Sequence, residues 1–196
     1  KPHLPLSAPA KYWEMYDRAK LAKVKNPKMP VDAPLIARHG WKEIRGYTDV
    51  PNMAPMPKDK VAELRHGYYA CVSYIDSLVG RLLYWLASLK LEENSVFVLW
   101  GDHGYHLGHK GLWQKSDLFE GSARVPMIIS VPGMKNAGQS TASLAELVDL
   151  YPTLSELCNL PRPAHLKGQS LVRVLNKPEA TVREAAFTVT RIRKRM

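Results

Sequence analysis

The clearest pattern in the chain is a stripe of apolar residues that recur at steps of three or four between residues 58 and 89. Its members are Val61, Leu64, Tyr68, Val72, Ile75, Val79, Leu82 and Leu86. A period of this size is typical of an amphipathic α-helix. The pattern therefore predicts a long helix over residues 58–89 whose apolar face covers a sheet.

Short apolar runs elsewhere in the chain predict strands. The sequence SVFVLW at residues 95–100 is continuously apolar, which is typical of a strand buried on both faces. The sequence VPMIISVPG at residues 125–133 predicts a second strand closed by Pro-Gly. A late strand is expected in AAFTVTRIR at residues 185–193, where apolar and β-branched residues return.

Three further segments predict helices: residues 10–24, residues 150–160 with Asp149 as the cap, and residues 168–175. Residues 25–57 form a Pro-rich loop without a sustained period. A loop of that length in a compact domain is usually functional or disordered. The order of helices and strands predicts an α/β fold, a sheet with helices on both faces. In such folds ligands bind beyond the carboxyl ends of the strands.

Composition indicates a globular chain with a surplus of positive charge. With 45% hydrophobic and 23% charged residues over 196 positions, the chain suits one domain or part of a larger one. Lys and Arg number 28 against 18 Asp and Glu, which gives a net charge of +10. That surplus favours an anionic partner such as nucleic acid, an acidic polysaccharide, a phosphate or sulfate ester, or an anionic membrane face. The alternative is a solvated basic surface. No apolar run approaches the length of a membrane span.

The most polar stretch, GDHGYHLGHKGLWQK at residues 101–115, directly follows the first predicted strand. Asp102 and His103 offer a carboxylate oxygen and an imidazole nitrogen that one metal ion can take together. Two later glycines let the loop return Lys115 to that place, where its cation can hold an anionic oxygen. On spacing alone, the alternatives are an Asp that caps a turn beside an exposed His, and an ordinary solvated Lys.

The remaining His, Trp and Cys candidates are expected to be structural rather than catalytic. His106 and His109 look like loop residues, and Trp113 is expected to anchor the loop in the core. Cys71 and Cys158 fall within helical patterns, so buried free thiols are expected there. The sequence contains neither a CxxC pair nor a Cys/His zinc spacing.

The segment GDHGYHLGHKGLWQKSDLFEGSARVPMIISVPG resembles the sulfatase family of the alkaline phosphatase superfamily, especially its iduronate-2-sulfatase-like branch. The resemblance extends to KPHLP at the start, GYYACVSYIDSLVGRLL on the predicted long helix, and ELVDLYPTLSELCNLPRP further on. Several separate motifs thus agree in order and spacing. They cover most of the chain apart from the Pro-rich loop and the last few residues.

The resemblance implies roles for individual positions. Asp102 and His103 match the family's calcium ligands, although another divalent metal is possible. Lys115 matches the Lys that contacts the sulfate. His3, in the KPH motif, matches the His that contacts the sulfate ester or the leaving oxygen, and Tyr105 falls near the substrate.

The family's nucleophile is not found in this sequence. Sulfatases use a Cys- or Ser-x-Pro-x-Arg motif whose first residue a separate enzyme oxidises to formylglycine, and neither Cys71 nor Cys158 stands in such a motif. The paired Asp of the family's first strand is also not in the sequence. We therefore expect residues 1–196 to be the central-to-C-terminal portion of a sulfatase catalytic domain. Formylglycine then belongs to a missing N-terminal part, with its generating enzyme as a partner.

The resemblance implies metal-assisted hydrolysis of sulfate esters, with a sulfated carbohydrate as substrate and no nucleic-acid partner. The full-length protein is then expected in a periplasmic, extracellular or lysosomal location. Two alternatives stay open: a metal-dependent phosphoester or phosphonate hydrolase of the same superfamily, and a non-catalytic polyanion-binding fragment. His103 favours the first alternative, because imidazole suits zinc or manganese better than calcium.

Overall fold

The computed structural model describes residues 2–37, 43–52 and 55–190 of the chain. These residues form two compact units. The first comprises Lys1–Leu89 and His103–Arg124, and the second comprises Lys90–Asp102 and Val125–Met196.

The first unit is built around one long helix. Its α-helices are α1 (Ala10–Trp13), α2 (Lys58–Ser88) and α3 (Glu120–Ala123). Short 3-10 turns lie at Arg18–Lys20, Leu35–Ala37, Glu43–Gly46 and His109–Gly111. The long helix predicted from the apolar stripe is confirmed to within one residue at its end. The sheet lies in the other unit, so the expectation that α2 covers it stays a prediction.

Burial along α2 is uneven, and one prediction for the first unit is wrong in extent. The buried residues of α2 lie between Leu64 and Cys71, while Val72 and Leu82 are 44% and 53% exposed, so the fully buried positions fall in the first half of the helix. The helix predicted over residues 10–24 is four residues long. It does not continue because the Asp17 carboxylate accepts a hydrogen bond from the Ala19 N–H and caps a separate turn.

The core of the first unit joins segments that are distant in the sequence. Its buried members are Ile44, Val50, Met56, Leu64, Leu107 and Trp113. The partly buried Leu4, Leu6, Tyr47, Val61, Tyr68 and Tyr105 pack against them. The Pro-rich loop thus supplies three of the six buried residues, and the N-terminal segment and the polar loop meet on the same core.

The second unit contains the strands. Strand β1 (Phe97–Trp100) pairs antiparallel with β2 (Met127–Ser130), with Phe97 opposite Ser130 and Trp100 opposite Met127. Helices α4 (Leu150–Leu157) and α5 (Val172–Asn176) follow, and 3-10 turns lie at Glu92–Asn94 and Leu147–Asp149. The α/β class is confirmed.

Three details of the second unit differ from the predictions. Strand β1 is half-buried and Trp100 is 49% exposed, because its one partner in the described sheet is β2. Residues 185–190 form no strand, and residues 191–193 lie outside the described residues. Asp149 does not cap α4 through its side chain. Its carboxylate instead accepts the Glu146 and Gln169 N–H groups at 2.8 and 2.7 Å and pairs with Arg183.

In the described part of the chain, no helix, α2 included, combines the length and the apolar character that crossing a bilayer requires.

Candidate functional site

The first unit brings His3 and Lys115 together. Lys115 Nζ lies 3.1 Å from His3 Nε2, although 112 positions separate the two residues in the sequence. Each residue is close along the chain to a side chain of the same core: Leu4 follows His3 directly, and Trp113 precedes Lys115 by two positions. Packing of these two neighbours therefore places the two polar side chains side by side.

The hydrogen bonds of His3 define which ring nitrogen carries its proton. His3 Nδ1 lies 2.8 Å from the Leu4 carbonyl oxygen. A carbonyl oxygen only accepts, so Nδ1 is the donor. Nε2 then faces the Lys115 ammonium, which has protons but no lone pair, so Nε2 accepts. In this arrangement His3 is a neutral imidazole that receives a proton donor at Nε2.

Glu43 is a third member of this group. Its Oε1 lies 3.3 Å from Lys115 Nζ, and the side chains of Glu43 and Lys115 are only 16% and 18% exposed. Sequence reasoning missed Glu43 because it lies in the aperiodic Pro-rich loop. Its nearest sequence signal is the apolar Ile44, which is 1% exposed in the core.

Glycines shape the loop that carries Lys115. Gly108 and Gly111 adopt positive φ angles of 94° and 72°, so the prediction that they turn the loop back is confirmed. A Cβ on Gly104 would lie 2.1 Å from the Gly121 carbonyl oxygen, so the loop can approach the start of α3 only with glycine there. Ser116, directly after Lys115, has a φ of 64°. That region is uncommon for a residue with a side chain and is often found at functional sites.

A buried His-Asp pair holds the same loop from the inside. His106 Nε2 lies 3.2 Å from Asp117 Oδ1, and the two side chains are 1% and 4% exposed. Burial by itself would raise the pKa of Asp117, but hydrogen bonds from His106, the Phe119 N–H and the Ser122 hydroxyl outweigh it and lower that pKa. His106 is thus a loop residue, as predicted, and it is buried and structural.

Aromatic residues complete the inner side of the loop. Trp113 is 6% exposed, which confirms it as the anchor in the core. The Tyr105 hydroxyl donates a hydrogen bond to the Trp113 carbonyl at 3.2 Å. Burial raises the pKa of Tyr105, and the negative charge of Glu43 raises it further, so Tyr105 stays a protonated donor. At the neighbouring His109, burial lowers the pKa, and the positive charge of Arg65 lowers it further.

Asp102 and His103 are both exposed residues that follow β1. His103 Nδ1 lies 2.9 Å from the Gly104 carbonyl oxygen, so Nδ1 donates and Nε2 carries the lone pair that a metal ion takes. The donor types of the two residues therefore fit part of a metal site. Asp102 belongs to the second unit and His103 to the first, and their use by one ion stays a prediction.

Residues 2–37, 43–52 and 55–190 contain no group of three or more His, Cys, Asp or Glu side chains that would hold a metal ion. Cys71 is buried as expected, and its thiol donates to the Ser7 carbonyl at 3.4 Å. Cys158 is exposed, which corrects the prediction of a buried thiol. It directly follows α4, beyond the last helical residue.

Comparison with known proteins gives consistent matches. The sulfatase family model matches residues 1–160. Iduronate 2-sulfatase of Mus musculus is 32% identical over 83% of this chain, and the chain spans only 35% of that protein's length. A phosphonate monoester hydrolase from Silicibacter pomeroyi superposes with a TM-score of 0.77 at 26% identity, covering 92% of this chain and 36% of its own. A protein solved in complex with its substrate D-glucosamine-2-N,6-O-disulfate gives a TM-score of 0.59 at 30% identity, with coverages of 62% and 25%.

Proposed function

Because this chain belongs to the sulfatase family, we propose that the full-length protein containing it hydrolyses sulfate esters of a sulfated carbohydrate. The observation that carries the proposal is the 3.1 Å approach of Lys115 to His3. The substrate class is supported by the disulfated glucosamine bound to one structural relative and by the mouse relative, an iduronate 2-sulfatase. The net charge of +10 suits a polyanionic substrate.

Lys115 and His3 would act on opposite parts of the sulfate ester. The Lys115 ammonium has three protons, and charge on a fixed cation stabilises the non-bridging oxygens of the transition state. His3 would donate a proton to the bridging oxygen, which gains negative charge as the alcohol leaves. For that role Nε2 must first take up a proton from solvent, so that the Lys115 ammonium keeps its own protons and its charge. Uptake of that proton ends the hydrogen bond from Lys115 to Nε2, and that Lys115 N–H then becomes available to a sulfate oxygen.

Asp102 and His103 would supply two ligands of a divalent metal, calcium in the first instance. A bound cation would add positive charge at the sulfate oxygens. Neither Cys71 nor Cys158 stands in the nucleophile motif, so we place the formylglycine nucleophile in a part of the full-length protein beyond this chain. The proposal includes the enzyme that generates formylglycine as a partner, and a periplasmic, extracellular or lysosomal location.

A panel of esters tests the proposal. The full-length protein is assayed with a sulfated disaccharide, an aryl sulfate and an aryl phosphonate monoester, each with calcium and again with a chelator. We expect the sulfated disaccharide to give the highest kcat/KM. Preference for the phosphonate would favour the second candidate function, which the similarity to the phosphonate monoester hydrolase supports. Binding of sulfated polymer without turnover of any ester would instead indicate a non-catalytic polyanion-binding protein.

A further inference from the structure

We propose that Glu43 is a positioning residue of this site: its carboxylate holds the Lys115 ammonium against His3 Nε2 and balances its charge. The inference rests on the proposed function for its kinetic consequence, but its structural part concerns the chain alone. Glu43 carries no motif that identifies it in the sequence, and it enters the site from the Pro-rich loop.

The geometry of Lys115 gives Glu43 its role. An ammonium has three N–H donors. The Lys115 ammonium forms an ion pair with Glu43 Oε1 at 3.3 Å and directs one donor to His3 Nε2 at 3.1 Å. These two contacts restrict how the ammonium is placed, and we assign its remaining donors to an anionic oxygen of the substrate. A Lys side chain on its own has four rotatable bonds and would not define this placement.

All three residues are held by one core. Ile44 follows Glu43 and is 1% exposed, Trp113 is 6% exposed, and Leu4 packs against the same cluster. Packing of Ile44 therefore fixes the backbone of Glu43 beside Lys115. The approach of carboxylate and ammonium depends on this packing as well as on the attraction between the two charges.

Burial strengthens the electrostatic interaction between Glu43 and Lys115. Because both side chains are more than four-fifths buried, solvent and salt screen this pair less than a surface pair. The effect of Glu43 extends to Tyr105, whose pKa it helps to raise. A carboxylate at this distance also competes with a bound sulfate for the same ammonium. Removal of its charge should tighten ground-state binding of the substrate while it loosens the alignment of Lys115.

The kinetic test is Glu43→Gln in the full-length protein, with Glu63→Gln as the matched control. Glu63 is also paired with a lysine, Lys60, at 2.9 Å in the same unit. For Glu43→Gln we expect kcat to fall roughly 10-fold because alignment is lost, and KM to fall about threefold because a competing charge is gone. The control should keep both constants. Glu43→Asp, which keeps the charge, should keep the KM of the original protein.

A merely structural role would give a different kinetic result. Loss of folded protein lowers the apparent kcat and leaves KM unchanged. That pattern for Glu43→Gln, or equal effects for Glu63→Gln, would overturn the proposal.

A second readout separates this inference from the proposed function. The ring nitrogens of ¹⁵N-labelled histidine in the full-length protein report which nitrogen of His3 is protonated. We expect the Nδ1–H form in both proteins, because the Leu4 carbonyl holds that proton, and a change in the Nε2 chemical shift in Glu43→Gln, because Nε2 loses its fixed donor. If this change occurs without sulfate ester turnover in any variant, the positioning role stands and the sulfatase proposal fails. An unchanged Nε2 chemical shift in Glu43→Gln would overturn the positioning role whatever the activity.

Discussion

Lys115 Nζ lies 3.1 Å from His3 Nε2, and the imidazole accepts a hydrogen bond from the ammonium because its Nδ1 is engaged by the Leu4 carbonyl. A cation thus stands beside a neutral base rather than beside a second cation. The arrangement places a positive charge and a proton acceptor 3.1 Å apart.

Lys115→Met should lower kcat/KM for sulfate esters on the order of 10²-fold in the full-length protein, because a fixed charge on the transition state is removed. Lys20→Met is the matched control. Lys20 is 84% exposed and pairs with Asp17 at 3.6 Å, so its loss should change kcat/KM little. Steady-state kinetics of both variants test this prediction. Similar losses of kcat/KM in the two variants would show that Lys115 contributes only general surface charge.

His3→Ala should affect substrates according to their leaving groups. A sugar alcohol is a poor leaving group and needs proton help, whereas an activated phenolate needs less. We expect the loss of kcat to be at least about 10-fold greater for a sulfated sugar than for an activated aryl sulfate. Parallel measurements on a series of aryl sulfates of rising phenol pKa provide the check. A loss that is independent of the leaving group would remove this role from His3.

Asp102→Ala should weaken calcium binding to the full-length protein, because a hard cation loses an anionic oxygen ligand. The measurement is bound calcium per protein after dialysis, together with turnover of an aryl sulfate. Asp49→Ala is a suitable control, since Asp49 is an exposed carboxylate that pairs with Lys60. Unchanged calcium content and turnover in Asp102→Ala would contradict the metal assignment.

Two glycines of α2 should respond in opposite directions to the same substitution. A Cβ at Gly67 would lie 2.8 Å from the Leu6 carbonyl oxygen, so Gly67→Ala should lower the free energy of unfolding by about 1–3 kcal/mol. A Cβ at Gly80 would meet nothing within 4 Å, so Gly80→Ala should raise it by about 1 kcal/mol through helix propensity. Denaturant unfolding of both variants provides the comparison. A Gly67→Ala protein as stable as Gly80→Ala would contradict the close packing of the His3 segment on α2.

Asp117 should make stability fall in acid. Hydrogen bonds from His106, Phe119 and Ser122 outweigh burial and lower the folded-state pKa of Asp117 below its unfolded value of about 3.9. The stabilisation is therefore present above that unfolded pKa and is lost as the pH falls through the folded-state pKa. Asp117→Asn should be less stable at neutral pH and should lose less stability on acidification. Urea unfolding between neutral and acidic pH tests this, and an identical pH dependence of both proteins would contradict it.

The sequence by itself determined what depends on neighbours along the chain. A period of three to four residues defined α2 nearly to its ends, because helix formation requires only local hydrogen bonds and one consistent face. The motifs in residues 101–115 and at the N-terminus singled out Lys115 and His3 through their resemblance to the sulfatase family, and the roles of both residues stay a prediction.

Only the tertiary structure decided which side chains meet. Glu43 resembles every other acid in the sequence, and it joins Lys115 because Ile44 is buried in a core shared with Leu4 and Trp113. The apolar stripe of α2 likewise gave no sign that burial would end near Cys71. Periodicity indicates which face of an element is apolar. The partner of that face is selected by contacts between distant segments, and local sequence does not encode those contacts.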